Sequence, residues 1–210
     1  MARRLTPAGA ALAVLALGCG GSRAAVPEAP PRTAPLPTAG LAGQPVAVYP
    51  LTMLIPEEGL PWRGQLTPRR SALDRADSVI AEALRTRSPE VPWALPDLMR
   101  RGAKQAPGML IDPDQLATSL LRAANIDRLP DPLWSQMRTL SALAGARFAL
   151  VPASLFYFGT TDGRGRAELT LVLADVRTGA VGWRTVARGE SGDPWDALWL
   201  ALKQLTPGLP

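Results

Sequence analysis

The sequence contains few side chains suited to catalysis. None of its 210 residues is a histidine, and Cys19 is the only cysteine. A Ser-His-Asp triad, a Cys-His pair and a zinc site made of cysteine and histidine are therefore impossible within this chain. There is no glycine-rich phosphate loop either, because Gly163-Arg164-Gly165 falls in a predicted hairpin turn and not between a strand and a helix. We expect neither a metal nor a cofactor.

Carboxylates remain as candidates for acid–base catalysis. The sequence has two pairs of them, Glu57 with Glu58 and Asp74 with Asp77. Neither pair belongs to a convergent pattern of polar residues, so we predict no catalytic residue. We expect both pairs to lie on solvated loop or helix surface. The alternative is a ligand-binding or carboxylate-dependent enzymatic domain, in which carboxylates and arginines would have to converge in a pocket.

The amino terminus carries the most specific motif. Arg3 and Arg4 precede Leu5 to Gly18, a stretch of 14 residues rich in alanine and leucine. A membrane-spanning helix needs about 20 apolar residues, whereas a signal peptide has a core of this shorter length. The stretch ends in Leu15-Ala16-Leu17-Gly18-Cys19, which resembles the bacterial lipobox. The resemblance implies cleavage after Gly18 and lipidation of Cys19, with palmitate among the attached acyl chains.

The same resemblance implies a location. Cys19 is followed by Gly20 and not by the aspartate that would suggest retention in the inner membrane. The expected location is therefore the periplasmic face of the outer membrane, with the protein anchored through its lipid. Several acyl chains on one residue hold a protein firmly, since each buried methylene contributes about 0.8 kcal/mol. An ordinary signal peptide with a chance cysteine is the alternative.

The chain divides into three predicted parts. Residues 1–18 are the signal peptide, residues 19–44 are the lipidated cysteine with a proline-rich tether, and residues 45–210 are a single α/β domain. Five prolines between Pro27 and Pro37 interrupt any helix in the tether, although part of it could pack on the domain. Without the signal peptide, 21 basic and 18 acidic residues give a side-chain charge of +3. That excess is too small to predict nucleic-acid binding.

The predicted core is a three-stranded antiparallel meander between Ala146 and Glu190. Three runs rich in leucine, β-branched and aromatic residues are separated by turns that contain Gly163 and Gly179. Side chains alternate along a strand, so Leu169, Leu171 and Leu173 should share one face of the middle strand. The first run is apolar on both faces, which predicts a central strand. Leu171 and Trp183 are expected to be buried.

Helices with apolar stripes surround this meander. A short first strand is predicted over Val46 to Leu51. Proline in the first turn and apolar residues at helical spacing predict helices over Pro68 to Arg87 and Pro96 to Gln105, and from Asp112-Pro113, Asp131-Pro132 and Asp193-Pro194. The predicted fold is a sandwich in which helices pack on a mixed sheet, made of the N-terminal strand and the C-terminal meander.

One predicted loop, Thr52 to Gln65, is unusually apolar. It is either a lid that folds back over the sheet or an edge that binds a partner. Its candidate binding residues are Met53, Leu54, Ile55, Leu60 and Trp62.

The order of these segments resembles a family. A lipobox, a tether and the strand Val46 to Leu51 are followed by the run Ala146 to Val151, and then by a hairpin in which Asp175-Val176-Arg177-Thr178-Gly179 precedes Trp183. This is similar to periplasmic lipoproteins whose domain is related to the curli-secretion lipoprotein, the LpoB-type activators of penicillin-binding proteins and the amino-terminal domain of TolB. The resemblance implies an envelope-associated, non-enzymatic protein that binds other proteins, and it carries over no catalytic residue.

The sequence thus predicts a lipoprotein that binds or scaffolds a protein in cell-envelope assembly or export. The expected partners are the membrane, through the N-terminal lipid, and an envelope protein or a second copy of the chain. A pore is not expected, because the connections Gly159 to Arg166 and Arg177 to Ala180 are too short to hold a membrane-spanning hairpin.

Overall fold

A computed structural model describes residues 38–205. The predictions about the signal peptide, Gly18, Cys19 and residues 20–37 of the tether lie outside the described residues. The predicted boundary between tether and domain at residue 45 is too late, because Leu41 is buried in the core and the Thr38 hydroxyl donates to the carbonyl of Leu205 at 3.0 Å. Within them the fold is a mixed α/β structure with an open six-stranded sheet and four α-helices, which confirms the predicted fold class. The strands are β1 (Val46–Val48), β2 (Leu54–Pro56), β3 (Trp93–Ala94), β4 (Phe148–Gly159), β5 (Gly165–Asp175) and β6 (Ala180–Ser191). The helices are α1 (Arg69–Arg87), α2 (Pro96–Gln105), α3 (Leu133–Leu143) and α4 (Pro194–Lys203).

The sheet is built around β4, as its apolar sequence predicts. The strand order is β3-β1-β4-β5-β6, and β2 pairs with β4 beyond the end of β1. Parallel pairing joins Val46 to Phe148 and Leu54 to Leu155, so β1 and β2 lie one after the other along the same edge of β4. Strands β4, β5 and β6 form the antiparallel meander. Its two turns contain Gly163 and Gly179, whose φ angles of 77° and 75° favour glycine.

One face of the sheet is covered along its whole length, and we call it the closed face. Leu169, Leu171 and Leu173 of β5 point to this side, as predicted, and are buried together with residues of α1 and α4. Trp183 also points there but is only half-buried, in contrast to the predicted burial. It lies on the edge strand β6, where only one side of the residue has a neighbouring strand.

The second face is covered by α2 and α3 near β1 and the first half of β4. Met137 and Leu140 of α3 are buried there against Tyr49, Ala149 and Val151. The Tyr49 hydroxyl donates to the carbonyl of Met137 at 2.7 Å and lies 2.9 Å from the hydroxyl of Ser141. These bonds satisfy a buried polar group, and they fix α3 on the sheet.

The structure differs from the sequence prediction between Asp112 and Ala124. In place of one α-helix there are two 3₁₀ turns, Pro113–Gln115 and Thr118–Arg122. Leu116, between them, has an extended backbone with ψ of 138°, and its side chain is buried in the core. The predicted stripe does not form, because Leu120 is 53% exposed while Leu116 is 2% exposed.

Candidate interaction surface

Beyond the middle of β4, none of the four α-helices that the structure describes covers the second face of the sheet. A register shift between Pro152 and Ser154 marks the change. Of the residues past it that point to this side, Ser154 and Thr170 are buried and the others are partly exposed. We call all of these residues the open face. By strand register they are Ile55, Ser154, Phe156, Phe158, Arg166, Glu168, Thr170, Val186 and Arg188.

Aromatic rings form a ridge along the open face. Phe156 and Phe158 are half-buried, and their rings stack with centroids 6.1 Å apart and planes inclined by 14°. The Arg166 guanidinium lies 5.6 Å from the centre of the Phe158 ring. Ile55 beside Phe156 is 42% exposed, and Val186 two strands away is 38% exposed. Neighbouring apolar side chains that are partly exposed, as these are, often mark a surface that binds a partner.

A hollow of about 710 Å³ lies between the open face and the turn Ser119 to Ala123. Leu120 and Met53 border it. Ser154 forms part of its lining, and the Ser154 hydroxyl is buried without a hydrogen-bond partner in the part of the chain that the structure describes. A buried hydroxyl without a partner costs stability, so this group is available to a ligand that brings a donor or an acceptor.

The polar residues of the open face are mostly basic. The Glu168 carboxylate forms ion pairs with Arg188, at 3.0 Å, and with Arg166, at 3.2 Å. Arg122 borders the same hollow. Three arginines against one glutamate leave positive charge around an apolar centre. Aromatic residues and arginine are enriched in protein–protein interfaces, so the composition of the open face is that of a binding surface.

The predicted loop Thr52 to Gln65 supplies only part of this surface. Leu54, Leu60 and Trp62 are buried in the core of the closed face. The Trp62 indole N–H donates to the carbonyl of Gly192 at 2.7 Å, and its ring meets Tyr157 edge-on at 5.7 Å. Ile55 belongs to the open face, and Met53 borders the hollow. The loop therefore folds back over one side of the sheet and contributes two side chains to the other.

Gly165 explains how Trp62 comes so close to the sheet. A Cβ atom at this position would lie between 2.2 and 2.7 Å from the Trp62 ring, closer than atoms can approach. The absence of a side chain thus creates the space that the indole fills.

Asp77 corrects the prediction that both aspartates of α1 are solvated. Asp74 is exposed, whereas Asp77 is 5% exposed. One Asp77 oxygen accepts the backbone N–H of Leu51 at 2.8 Å, and the other accepts Arg100 of α2 at 2.6 Å. The spacing already contained this signal, because Asp77 is four residues after Leu73 and three before Ile80, on the apolar stripe of α1.

Burial and ion pairing have opposite effects on the pKa values of Asp77 and Arg100. Desolvation raises the pKa of Asp77 to about 6, although its bonds to Leu51 and Arg100 act to lower it. Desolvation acts to lower the pKa of Arg100, but its bonds to Asp114 and Asp77 raise it overall. Both Asp77 oxygens are already bonded, so this carboxylate fastens α1 to α2 and to the segment between β1 and β2.

The other carboxylate pair does not converge with Asp77. Glu57 accepts the backbone N–H of Gly159 at 2.7 Å, and Glu58 is exposed. Among residues 38–205, no three acidic side chains are grouped in a way that could hold a metal ion. Nor does any helix in that range have the length and apolar character needed to cross a membrane.

Comparison with known proteins finds similarity of fold only. No protein-family model and no curated protein sequence matches the chain. Solved structures that resemble it include the LpoB C-terminal domain from Salmonella enterica, at 16% identity and a TM-score of 0.38, over 73% of this chain and 92% of that one. The PelC dodecamer from Paraburkholderia phytofirmans matches at 18% identity and a TM-score of 0.37, over 79% and 90% of the two chains. Lipoprotein GNA1162 from Neisseria meningitidis matches at 15% and 0.31, over 70% and 81%. The LpoB domain is one of those that the sequence resembles; at these TM-scores the similarity assigns no function.

Proposed function

We propose that this protein is an outer-membrane lipoprotein whose domain binds a protein partner in cell-envelope assembly or export. The lipid on Cys19 holds it to the periplasmic face, and the tether connects that lipid to the folded domain. It acts without catalysing a reaction and without forming a pore. The observation that carries the proposal is the open face, an aromatic and basic surface on a sheet whose other side is closed.

The open face supports binding because its aromatic residues are only half-buried. Phe156 and Phe158 stack on each other, and no α-helix within residues 38–205 packs over them as α1 and α4 do on the closed face. Rigid aromatic side chains give large contact area at low cost in conformational entropy, which is why they dominate binding energy at interfaces. Their position on the central strand β4 holds them in place before a partner arrives.

The amino-terminal motif supports the anchor. Residues 19–37 precede the described part of the chain and are available as a tether, which would extend by up to about 3.1 Å per residue where it is polyproline II. Replacing Cys19 by serine should leave the protein without a fatty-acid label in cells fed with a labelled fatty acid, whereas the wild type should be labelled. An unlabelled wild-type protein would refute the anchor and leave the open face untouched.

The open face can be tested in living cells with a photo-crosslinking amino acid. Placed at Phe156, it should give one discrete crosslinked protein. The matched control is Leu200, which is 38% exposed on α4 and belongs to the opposite side of the sheet. Binding through the open face predicts a crosslink from position 156 and none from position 200. The same bands from both positions, or none from position 156, would contradict the proposal.

A further inference from the structure

Strand β6 forms an edge of the sheet, and within residues 38–205 the backbone groups that point away from β5 are hydrogen-bonded near both ends of the strand but not in its middle. Near its start, the N–H of Val181 donates to the carbonyl of Asp127 at 2.8 Å. Near its end, the Gln204 side chain bonds to both backbone groups of Arg188: its amide nitrogen donates to the carbonyl at 2.7 Å and its oxygen accepts the N–H at 3.3 Å. Arg188 therefore points its backbone away from β5.

The residues between these two points have free outward groups. Backbone direction alternates along an antiparallel ladder, so Arg184 and Val186 point outward as Arg188 does. Within residues 38–205 no hydrogen bond is made to the backbone N–H or carbonyl of either residue from beyond the edge. An unpaired strand edge is a template for another extended segment.

Gln204 shows what chemistry this edge accepts. Its side-chain amide makes with Arg188 the two bonds that one residue of a neighbouring antiparallel strand would make. The edge thus already pairs with a polar group at Arg188, and the outward backbone groups of Arg184 and Val186 are left for an incoming strand.

The side chains at the edge decide which segment fits. Arg184, Val186 and Arg188 all point to the second face of the sheet. If two copies of β6 paired antiparallel about Val186, Arg184 of each copy would lie opposite Arg188 of the other, and like charges in that position repel. Within residues 38–205 the Arg184 guanidinium donates to the carbonyl of Leu121, and Arg188 shares Glu168 with Arg166. Both guanidinium groups can therefore donate to a further carboxylate.

We propose that the β6 edge is a strand-addition site for an extended segment of another protein, with one apolar residue between two carboxylates at two-residue spacing. The incoming backbone pairs with Arg184 and Val186 and replaces the Gln204 amide at Arg188. Its two carboxylates face the arginines, and its apolar residue faces Val186. This site shares the side chains of Val186 and Arg188 with the open face, but it is built on the backbone edge of β6 and does not need Phe156 or Phe158, so it holds whether or not a partner binds through those rings.

The test uses the full-length protein in mild detergent and a capped, dye-labelled peptide, Thr-Glu-Thr-Val-Thr-Glu-Thr. Fluorescence anisotropy should show saturable binding, and the same peptide with lysine in place of both glutamates should bind roughly tenfold more weakly. Hydrogen exchange should show the Val186 amide protected only when the glutamate peptide is present.

Three variants distinguish binding at this site from non-specific binding of the peptide. Val186→Pro removes an outward N–H that the β5 ladder does not use, so it should abolish binding and leave the melting temperature nearly unchanged. Gln204→Ala should strengthen binding, because the competing amide is gone. The double variant Arg184→Glu with Arg188→Glu should reverse the preference and bind the lysine peptide.

Three results would overturn the proposal. The first is no binding of the glutamate peptide. The second is equal binding of the glutamate and lysine peptides by the wild type, together with no change in this preference in the double variant Arg184→Glu with Arg188→Glu. The third is self-association of the protein that Val186→Pro abolishes, since the occupant would then be a second copy. If Val186→Pro fails to fold, the charge reversal and the protection of the Val186 amide still decide the question.

Discussion

The two faces of the sheet use large side chains in opposite ways. On the closed face Leu155, Leu169 and Leu171 are fully buried beneath helices. On the second face, the residues under the helices include Ala149 and Ala153, while the aromatic residues Phe156 and Phe158 begin where the helices end. Under α3 the large side chain of Tyr49 is fully buried, whereas Phe156 and Phe158 are half-buried where none of the described α-helices packs. The aromatic ridge is thus not part of the core, which is the reason to assign it to binding.

The largest expected difference between the faces concerns leucine. Replacing Leu171 by alanine leaves a cavity in the closed face and should lower the free energy of unfolding by about 2–5 kcal/mol. The matched control is Leu120→Ala, the same substitution at a side chain 53% exposed beside the open face, which should change it by less than about 0.5 kcal/mol. Urea unfolding measures both, and similar losses would mean that the open face belongs to the core.

Glycine substitutions in β6 sharpen the comparison. A Cβ atom at Gly189 would lie 2.3 Å from the carbonyl oxygen of Ala197 and 2.4 Å from the nitrogen of Ala201, both in the backbone of α4. Gly189→Ala must push α4 off the closed face and should cost about 1–3 kcal/mol. In the control, Gly182→Ala, the new atom would meet only ordinary contacts at 3.5 Å or more. Thermal unfolding should separate the two variants; equal melting temperatures would mean that α4 packs less tightly than described.

The ion pair between Asp77 of α1 and Arg100 of α2 should have a smaller effect on the free energy of unfolding, one that depends on pH. The pKa of Asp77 is about 6 in the folded protein, above the 3.8 expected when it is unfolded, so its stabilising contribution is greatest below pH 3.8 and is lost as the pH rises through 6. Between pH 7 and pH 4.5, wild type should gain on the order of 1–2 kcal/mol relative to Asp77→Asn. Asp114, whose pKa is lowered, contributes stability that is present above its ordinary pKa of 3.8 and is lost as the pH falls below it, outside this range.

Urea unfolding of both proteins across this range measures the difference. A difference between wild type and Asp77→Asn that does not change with pH would show that Asp77 stays ionised, and that the bond to Arg100 outweighs burial.

Local patterns predicted most of the fold, and long-range contacts account for what they missed. The meander and α2, whose bounds match the prediction, follow from strand alternation, glycine turns and a first-turn proline. Strands β2 and β3 have only three and two residues, and β2 exists because Leu54 meets Leu155, about a hundred residues away. The predicted helix after Asp112 fails because Leu116 turns into the core. Both cases depend on contacts with residues far away in the sequence, which a local sequence pattern cannot reveal.

The site was harder to predict than the fold. Apolar residues on both sides of β4 identified a central strand, but not that helix packing stops near Ser154. Of the five candidate residues in the loop Thr52 to Gln65, only Met53 and Ile55 reach the open surface. The sequence places Phe156 and Phe158 in the core sheet and does not predict their exposure, because exposure depends on whether another segment packs on top of them.

The most direct test of binding through the open face is thiol labelling of single-cysteine substitutions. Once Cys19 carries its lipid, Ile55→Cys on the open face or Leu200→Cys on α4 supplies the only free thiol. These positions are 42% and 38% exposed, so both should react at similar rates in the purified protein. In intact cells we predict that position 55 is protected by its partner while position 200 reacts as before. Equal labelling of the two positions in cells would contradict the proposed function.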